Sequence, residues 1–83
     1  MYQNQPNPFS NETSIGFELP KASTAKLTIF DVSGKVLKVI EGDYQKGYNE
    51  VSVNRKEFSA SGVLYYQLES NGHTATQKMI VID

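Results

Sequence analysis

The chain has no cysteine, a single histidine, and no charge of either sign in excess. Without cysteine, no disulfide and no thiolate–metal site can brace the fold. That absence suits a cytoplasm and an exterior equally, so it does not locate the protein. One histidine and no cysteine also exclude the ordinary spacing of zinc ligands. Eight basic and nine acidic residues, with no basic block, argue against nucleic acid, because binding phosphates needs clustered Lys and Arg. Apolar runs fall far short of the roughly 18 residues a membrane helix needs, and no direct membrane insertion is expected. No signal-peptide pattern opens the chain, and Met1 followed at once by domain-like sequence reads as a piece of a longer protein.

What is present is strand pattern. A chain of 83 residues has room for one domain. At this size about 60–65% of the unfolded chain's surface becomes buried, so the core must be compact. Ile15, Phe17 and Leu19 alternate with Ser14, Gly16 and Glu18, and Pro20, which lacks an amide donor, closes that strand. Ala25, Leu27 and Ile29 alternate with Lys26 and Thr28. Asp31-Val32-Ser33-Gly34 has Asp first and Gly fourth, as a type I turn prefers. A third strand is expected over 35–41, with Leu37 and Val39 on one face and Val36 and Ile40 on the other. Gly42 and Asp43 then open a turn-rich stretch that runs through 45–49, before Val51 and Val53 mark a short strand. Residues 54–58 allow one helical turn, and 59–62 form a corner of small residues.

Asn71-Gly72 is the strongest short hairpin signal in the chain. With these two residues central, Leu64 faces Met79, Tyr66 faces Gln77 and Leu68 faces Ala75. The opposite face pairs Tyr65 with Lys78, Gln67 with Thr76 and Glu69 with Thr74. The first set is mostly apolar and the second mostly polar, so one face is buried and the other wet. A slip of one residue would mix them. The fold expected is therefore all-β, an immunoglobulin-like antiparallel β-sandwich of six to seven strands. Residues 14–83 would form the single sandwich domain, and residues 1–13, polar and proline-bearing, a linker-like opening segment. Its core should hold Ile15, Phe17, Leu19, Leu27, Ile29, Val51, Val53, Leu64, Tyr66, Leu68 and Met79. Apolarity on both faces over 79–82 points to a sheet centre or a contact surface.

Candidate chemistry is sparse. His73 lies beside the Asn71-Gly72 turn, where an exposed spacer is the ordinary reading. No serine sits in a Gly-x-Ser-x-Gly elbow, and Ser14, Ser33 and Ser61 read as strand-edge and turn residues. Glu41 and Asp43 flank Gly42 and could hold calcium or share acid–base work, although such a pair is usually a solvated turn. Tyr44, Tyr48 and Tyr65 could stack on sugar rings, but cross-strand packing is the commoner use of such residues. Asn11-Glu12-Thr13 matches a glycosylation sequon, a pattern too short to carry weight. No catalytic residue, metal ligand or cofactor site is assigned.

Five groups of residues say more. Gln3-Asn4-Gln5-Pro6-Asn7-Pro8-Phe9 opens the chain, Phe17-Glu18-Leu19-Pro20 ends the first strand, and the 27–30 strand leads into Asp31-Val32-Ser33-Gly34. Near the end come Ser61-Gly62-Val63-Leu64-Tyr65-Tyr66-Gln67-Leu68 and Thr76-Gln77-Lys78-Met79. In this order and spacing the chain resembles, over residues 2–83, the C-terminal sorting domain of proteins exported by the type IX secretion system of Bacteroidota. Two positions depart from that family's pattern. Leu64 stands where a tyrosine is frequent, and Gln77 where the first of two lysines is common, leaving Lys78 alone.

The resemblance implies a non-catalytic, cofactor-free signal at the C-terminus of a larger secreted cargo. Its partners would be the outer-membrane type IX translocon and a sortase-like peptidase that removes the domain upstream of its first strand. Transit would be periplasmic, ending in secretion or at the cell surface. The residues expected to carry recognition are Gly62, Tyr65, Gln67, Thr76 and Lys78 on the terminal hairpin, with Pro6, Asn7 and Pro8 as the opening motif. The competing readings are a carbohydrate-binding or spacer module of a secreted enzyme, which a row of exposed aromatics would favour, and an immunoglobulin-like part of a flagellar hook-capping protein. Oligomeric state stays open.

Overall fold

The alternation that opens the chain becomes strand β1 (Glu12–Leu19) in the computed structural model, which describes residues 1–59 and 61–82. Ile15, Phe17 and Leu19 point inward, and β1 pairs antiparallel with β4 (Gly47–Asn54). A second sheet holds β2 (Ser23–Asp31), β3 (Val36–Tyr44), β5 (Gly62–Ser70) and β6 (His73–Val81), in the order β3-β2-β5-β6. All of its pairings are antiparallel. The two sheets pack over one core, so the described residues form a six-stranded β-sandwich. A single 3-10 turn, Arg55–Glu57, follows β4, capped by the Asn54 side chain, whose oxygen accepts from the Lys56 amide at 2.9 Å.

The β5–β6 register is the one the turn chemistry requires. Leu64 faces Met79, Tyr66 faces Gln77, and Tyr65 faces Lys78. Asn71 and Gly72 both take positive φ, 52° and 78°, the left-handed pair that matches the twist of two-residue hairpins. Asp31 organises the other tight turn. Its Oδ1 accepts from the Ser33 hydroxyl at 2.6 Å and from the amides of Ser33 and Lys35. The Ser33 hydrogen bond, helped by the two amides, holds the Asp31 carboxyl below its ordinary range.

Three sequence expectations need correction. Gly42 and Asp43 do not begin a turn: β3 continues through them to Tyr44, with Gly42 opposite Ala25 and Tyr44 opposite Ser23. The Tyr44 ring packs edge-on against Phe17, at 5.1 Å between centroids, and this contact carries the strand onward. The chain turns only at Gln45 and Lys46, and β4 already begins at Gly47. Within β3 the face assignment was also different. A bulge at Ile29/Phe30 sets Lys38 opposite Ile29 but Val36 opposite Phe30, leaving Leu37 as the extra residue. Leu37 and Ile40 therefore lean on the core while Val36 and Val39 face solvent. Lastly, Val51 is only half-buried, packed at the core's margin.

The opening segment does not hang free as a linker. The Tyr2 amide donates to the Gly16 carbonyl, and Gln5 and Ser14 exchange both backbone hydrogen bonds, so the segment lies along the outer edge of β1. It then crosses to the other sheet, where Phe9 forms a parallel bridge with Val81. Phe9 is 1% exposed and belongs to the core, as do Ala25, Phe58 and Val81, none of which stands in the expected core. The core thus sits between the sheets and is sealed on its β1/β6 side by residues 1–9.

Candidate functional site

Two clusters singled out in the sequence, the opening motif and the terminal hairpin, lie against each other. The contact begins with unpaired backbone groups on β6, the edge strand of its sheet. Asn7 Oδ1 accepts from the Ile80 amide at 2.8 Å, Phe9 donates to the Ile80 carbonyl at 3.1 Å, and Ile82 donates to the Phe9 carbonyl at 2.9 Å. Further along, Gln3 Nε2 donates to the Lys78 carbonyl and Gln77 Nε2 to the Met1 carbonyl, each at 2.8 Å. Pro6 and Pro8 suit this stretch because neither has an amide to satisfy, and both follow cis peptide bonds.

Asn4 and Tyr66 tie the segment down from below. Asn4 is 1% exposed and Tyr66 fully buried. The Asn4 amide donates to the Tyr66 hydroxyl at 2.9 Å, and that hydroxyl donates to the Tyr2 carbonyl at 3.1 Å. Asn4 Nδ2 reaches Thr13 Oγ1 and the Pro6 carbonyl, and the Thr13 hydroxyl donates to the same carbonyl at 2.9 Å. Burial pushes the Tyr66 hydroxyl above the ordinary tyrosine value, partly countered by the Asn4 amide. No buried side-chain polar atom among the described residues lacks a partner. Neither Gln3 nor Asn4 nor Tyr66 was assigned a site role from sequence. A buried polar residue inside a polar segment leaves no hydrophobic signature to read.

The hairpin's outward residues form a different surface. Tyr65 and Gln67 are half-buried, Thr76 and Lys78 exposed, and all four project from the outer face of the four-stranded sheet. Tyr65 stacks on Phe30 of β2, with ring centroids 5.8 Å apart and planes 23° from parallel. Gln67 lies between Thr28 and Thr76. Lys78 faces Tyr65 and makes no ion pair with a described residue. Gly62 starts β5 at φ 129°, a conformation that side chains strain to adopt. Pro6, Asn7 and Pro8 run along the edge of this hairpin and not across its face.

The remaining candidates disperse. His73 is exposed at the hairpin turn, opposite Ser70. Glu41 faces Lys26 in register, and Asp43 accepts from the Thr24 hydroxyl at 2.8 Å. Among the described residues no three of His, Asp and Glu converge as a metal site would require. Ser14 is engaged with Gln5, Ser33 with Asp31, and Ser61 is exposed outside any strand. Of the corner expected over 59–62, Ala60 lies outside the described residues, as does Asp83 at the end of the expected domain. Tyr44 packs on Phe17, Tyr48 pairs with Tyr2 on the other sheet, and Tyr65 stacks on Phe30, so the tyrosines make no row. In the sequon, Thr13 is buried with its hydroxyl engaged.

Comparison with known proteins gives one finding of consequence. A family model described as a secretion system C-terminal sorting domain matches residues 5–82. No curated protein and no solved structure matches the chain.

Proposed function

This chain belongs to the secretion system C-terminal sorting domain family, and from that membership we propose that it directs a larger cargo across the outer membrane through the type IX secretion machinery. The observation that carries the reading is the extent of the family match, which takes in both the opening motif and the last strand. A signal without catalytic apparatus can be read only by shape and surface groups. The fold supports this, because residues 3–9 and 77–82, remote in sequence, form one hydrogen-bonded body.

The finer steps belong to the same proposal. The cargo folds in the periplasm, the translocon recognises the folded domain, and a sortase-like peptidase then removes it upstream of its first strand, leaving the cargo secreted or at the cell surface. Recognition falls on the terminal hairpin through Gly62, Tyr65, Gln67, Thr76 and Lys78, held in place by Pro6, Asn7 and Pro8. The accessory-module reading needs aromatics in a row, and the dispersed tyrosines give it none.

The test is a secreted reporter carrying this domain in a Bacteroidota host, compared with the same fusion lacking residues 62–83 and with Lys78→Ala. The deletion removes β5 and β6 and should abolish export, leaving the reporter in the periplasm. Lys78→Ala should lower export only modestly, since a single exposed ion pair is worth about 0–1 kcal/mol. Full export of the deletion fusion would refute a sorting role.

A further inference from the structure

The outer face of the four-stranded sheet is laid out in lateral rows, and the rows differ in chemistry. One row runs Val36, Phe30, Tyr65, Lys78 across all four strands. The row on one side is Val63 facing Ile80. On the other side come Val39, Thr28, Gln67 and Thr76, and then Glu41, Lys26, Glu69 and Thr74. The last of these rows is an ordinary wet surface, with Lys26 set between two carboxylates. The first and the Val63 row are not: Val36 is 54% and Val63 37% exposed, and the half-buried rings of Phe30 and Tyr65 stack on each other between them. A hollow at the end of the sheet mixes Val32, Leu37 and Val63 with Asp31, Lys35 and Ser61, and bounds the apolar surface there.

Strand propensity alone does not account for this stripe. Valine and aromatic residues favour strands on either face, but Thr28 and Thr76 supply that preference in the next row, where Val39 alone is a large apolar group left exposed. Contiguous apolar patches on soluble domains mark interaction surfaces. We infer that the Val36–Phe30–Tyr65 stripe, with Val63 and Ile80 beside it, is a docking surface for a protein of the secretion machinery, one presenting an apolar face with a carboxylate placed to meet Lys78.

The charge pattern selects this occupant. Neither of the two lysines on the outward rows makes an ion pair among the described residues, but Lys26 has Glu41 and Glu69 opposite it in register, whereas Lys78 has only Tyr65 and ends the apolar row with no carboxylate opposite. A carboxylate on the partner would supply the missing charge and fix orientation, as interfacial charge pairs do. A second copy of this chain fits poorly. A two-fold contact centred on the row, with its axis along or across it, sets Lys78 against Lys78 or against Val36, never against a carboxylate. The inference rests on the sorting function proposed above, and moves the expected contact from Gln67 and Thr76 toward Val36, Phe30 and Val63.

The experiment is the reporter fusion carrying the complete domain, with Val36→Glu, Val63→Glu, Lys78→Glu and Lys78→Arg, and with Tyr48→Ser on the opposite sheet as control. Circular dichroism and thermal melting of each purified domain establish which variants fold. Folded Val36→Glu, Val63→Glu and Lys78→Glu should lower export about tenfold or more, the effect of losing an interface anchor. Lys78→Arg should recover most of the export that Lys78→Glu loses, Tyr48→Ser should export as the parent does, and suppressors of Lys78→Glu should replace an Asp or Glu in a secretion component. Parental export of the three folded charge variants, with a domainless reporter still retained, would overturn the docking surface and leave the sorting function standing. Export of the domainless reporter would overturn both. A dimer of the parent domain that Val36→Glu dissociates would make the occupant a second copy and overturn the assignment.

Discussion

The Tyr66 hydroxyl is buried yet fully engaged, accepting from the Asn4 amide and donating to the Tyr2 carbonyl. Tyr66→Phe would keep the ring's packing and strand the Asn4 amide, which should cost about 1–3 kcal/mol, the desolvation penalty of an unpaired buried donor. Urea denaturation of the two proteins measures it; an unchanged midpoint would mean the amide finds another partner. One position further along β5 lies a sharper contrast. Leu68 points into the core and Gln67 to the outer face, so Leu68→Ala should cost about 2–5 kcal/mol and Gln67→Ala under about 0.5 kcal/mol. Equal losses would mean that the hairpin's faces are assigned the wrong way round. These faces were legible in the sequence because alternation with a period of two needs only one buried side. Tyr66 was legible as a core ring from its place in that alternation, but its hydroxyl's partners were not. They lie more than 60 residues away in sequence, in a segment whose polarity disguised its burial.

At the scale of elements, turns with strict backbone demands read best. Asn71-Gly72 fixes the β5–β6 register outright, whereas β3 has no such signal and carries a bulge that alternation cannot anticipate. Glycine shows the same division. Gly62 begins β5 with positive φ, while Gly42 lies inside β3 in ordinary extended backbone. A Cβ at Gly62 would touch nothing within 4 Å, so any loss on Gly62→Ala comes from the backbone, about 1–3 kcal/mol. A Cβ at Gly42 would sit in ordinary contact with the Tyr44 ring, 3.7 Å away. Gly42→Ala should therefore be neutral, or stabilise by up to about 1 kcal/mol through the smaller entropy lost on folding. Thermal melts of the pair decide the matter: a destabilised Gly42→Ala would show that β3 cannot tolerate the added methyl, and an unaffected Gly62→Ala would show that the corner before β5 relaxes.

Across the whole molecule, the opening segment is what joins the two sheets at their β1 and β6 edges. It pairs with β1 through Tyr2 and Gln5, buries Asn4 and Phe9, and covers the backbone of β6 from Lys78 to Ile82. A protease needs an extended, accessible stretch of chain, so bonds within 3–13 should be cut no faster than those inside the strands. Brief digestion with a nonspecific protease, followed by mass spectrometry, should therefore leave residues 3–13 attached to the body of the domain. Deleting residues 1–9 should have the opposite effect. Losing Phe9 alone removes a buried aromatic, a change that costs about 3–5 kcal/mol elsewhere. The amides of Ile80 and Ile82 would lose their partners and leave an open strand edge of the kind that pairs with other chains. The shortened domain should melt well below the parent and associate on size-exclusion chromatography. If it instead stays monomeric with an unchanged melting temperature, residues 1–9 are a dispensable lead-in. The processing step of the proposed function could then cut inside them without disturbing the fold that the exporter reads.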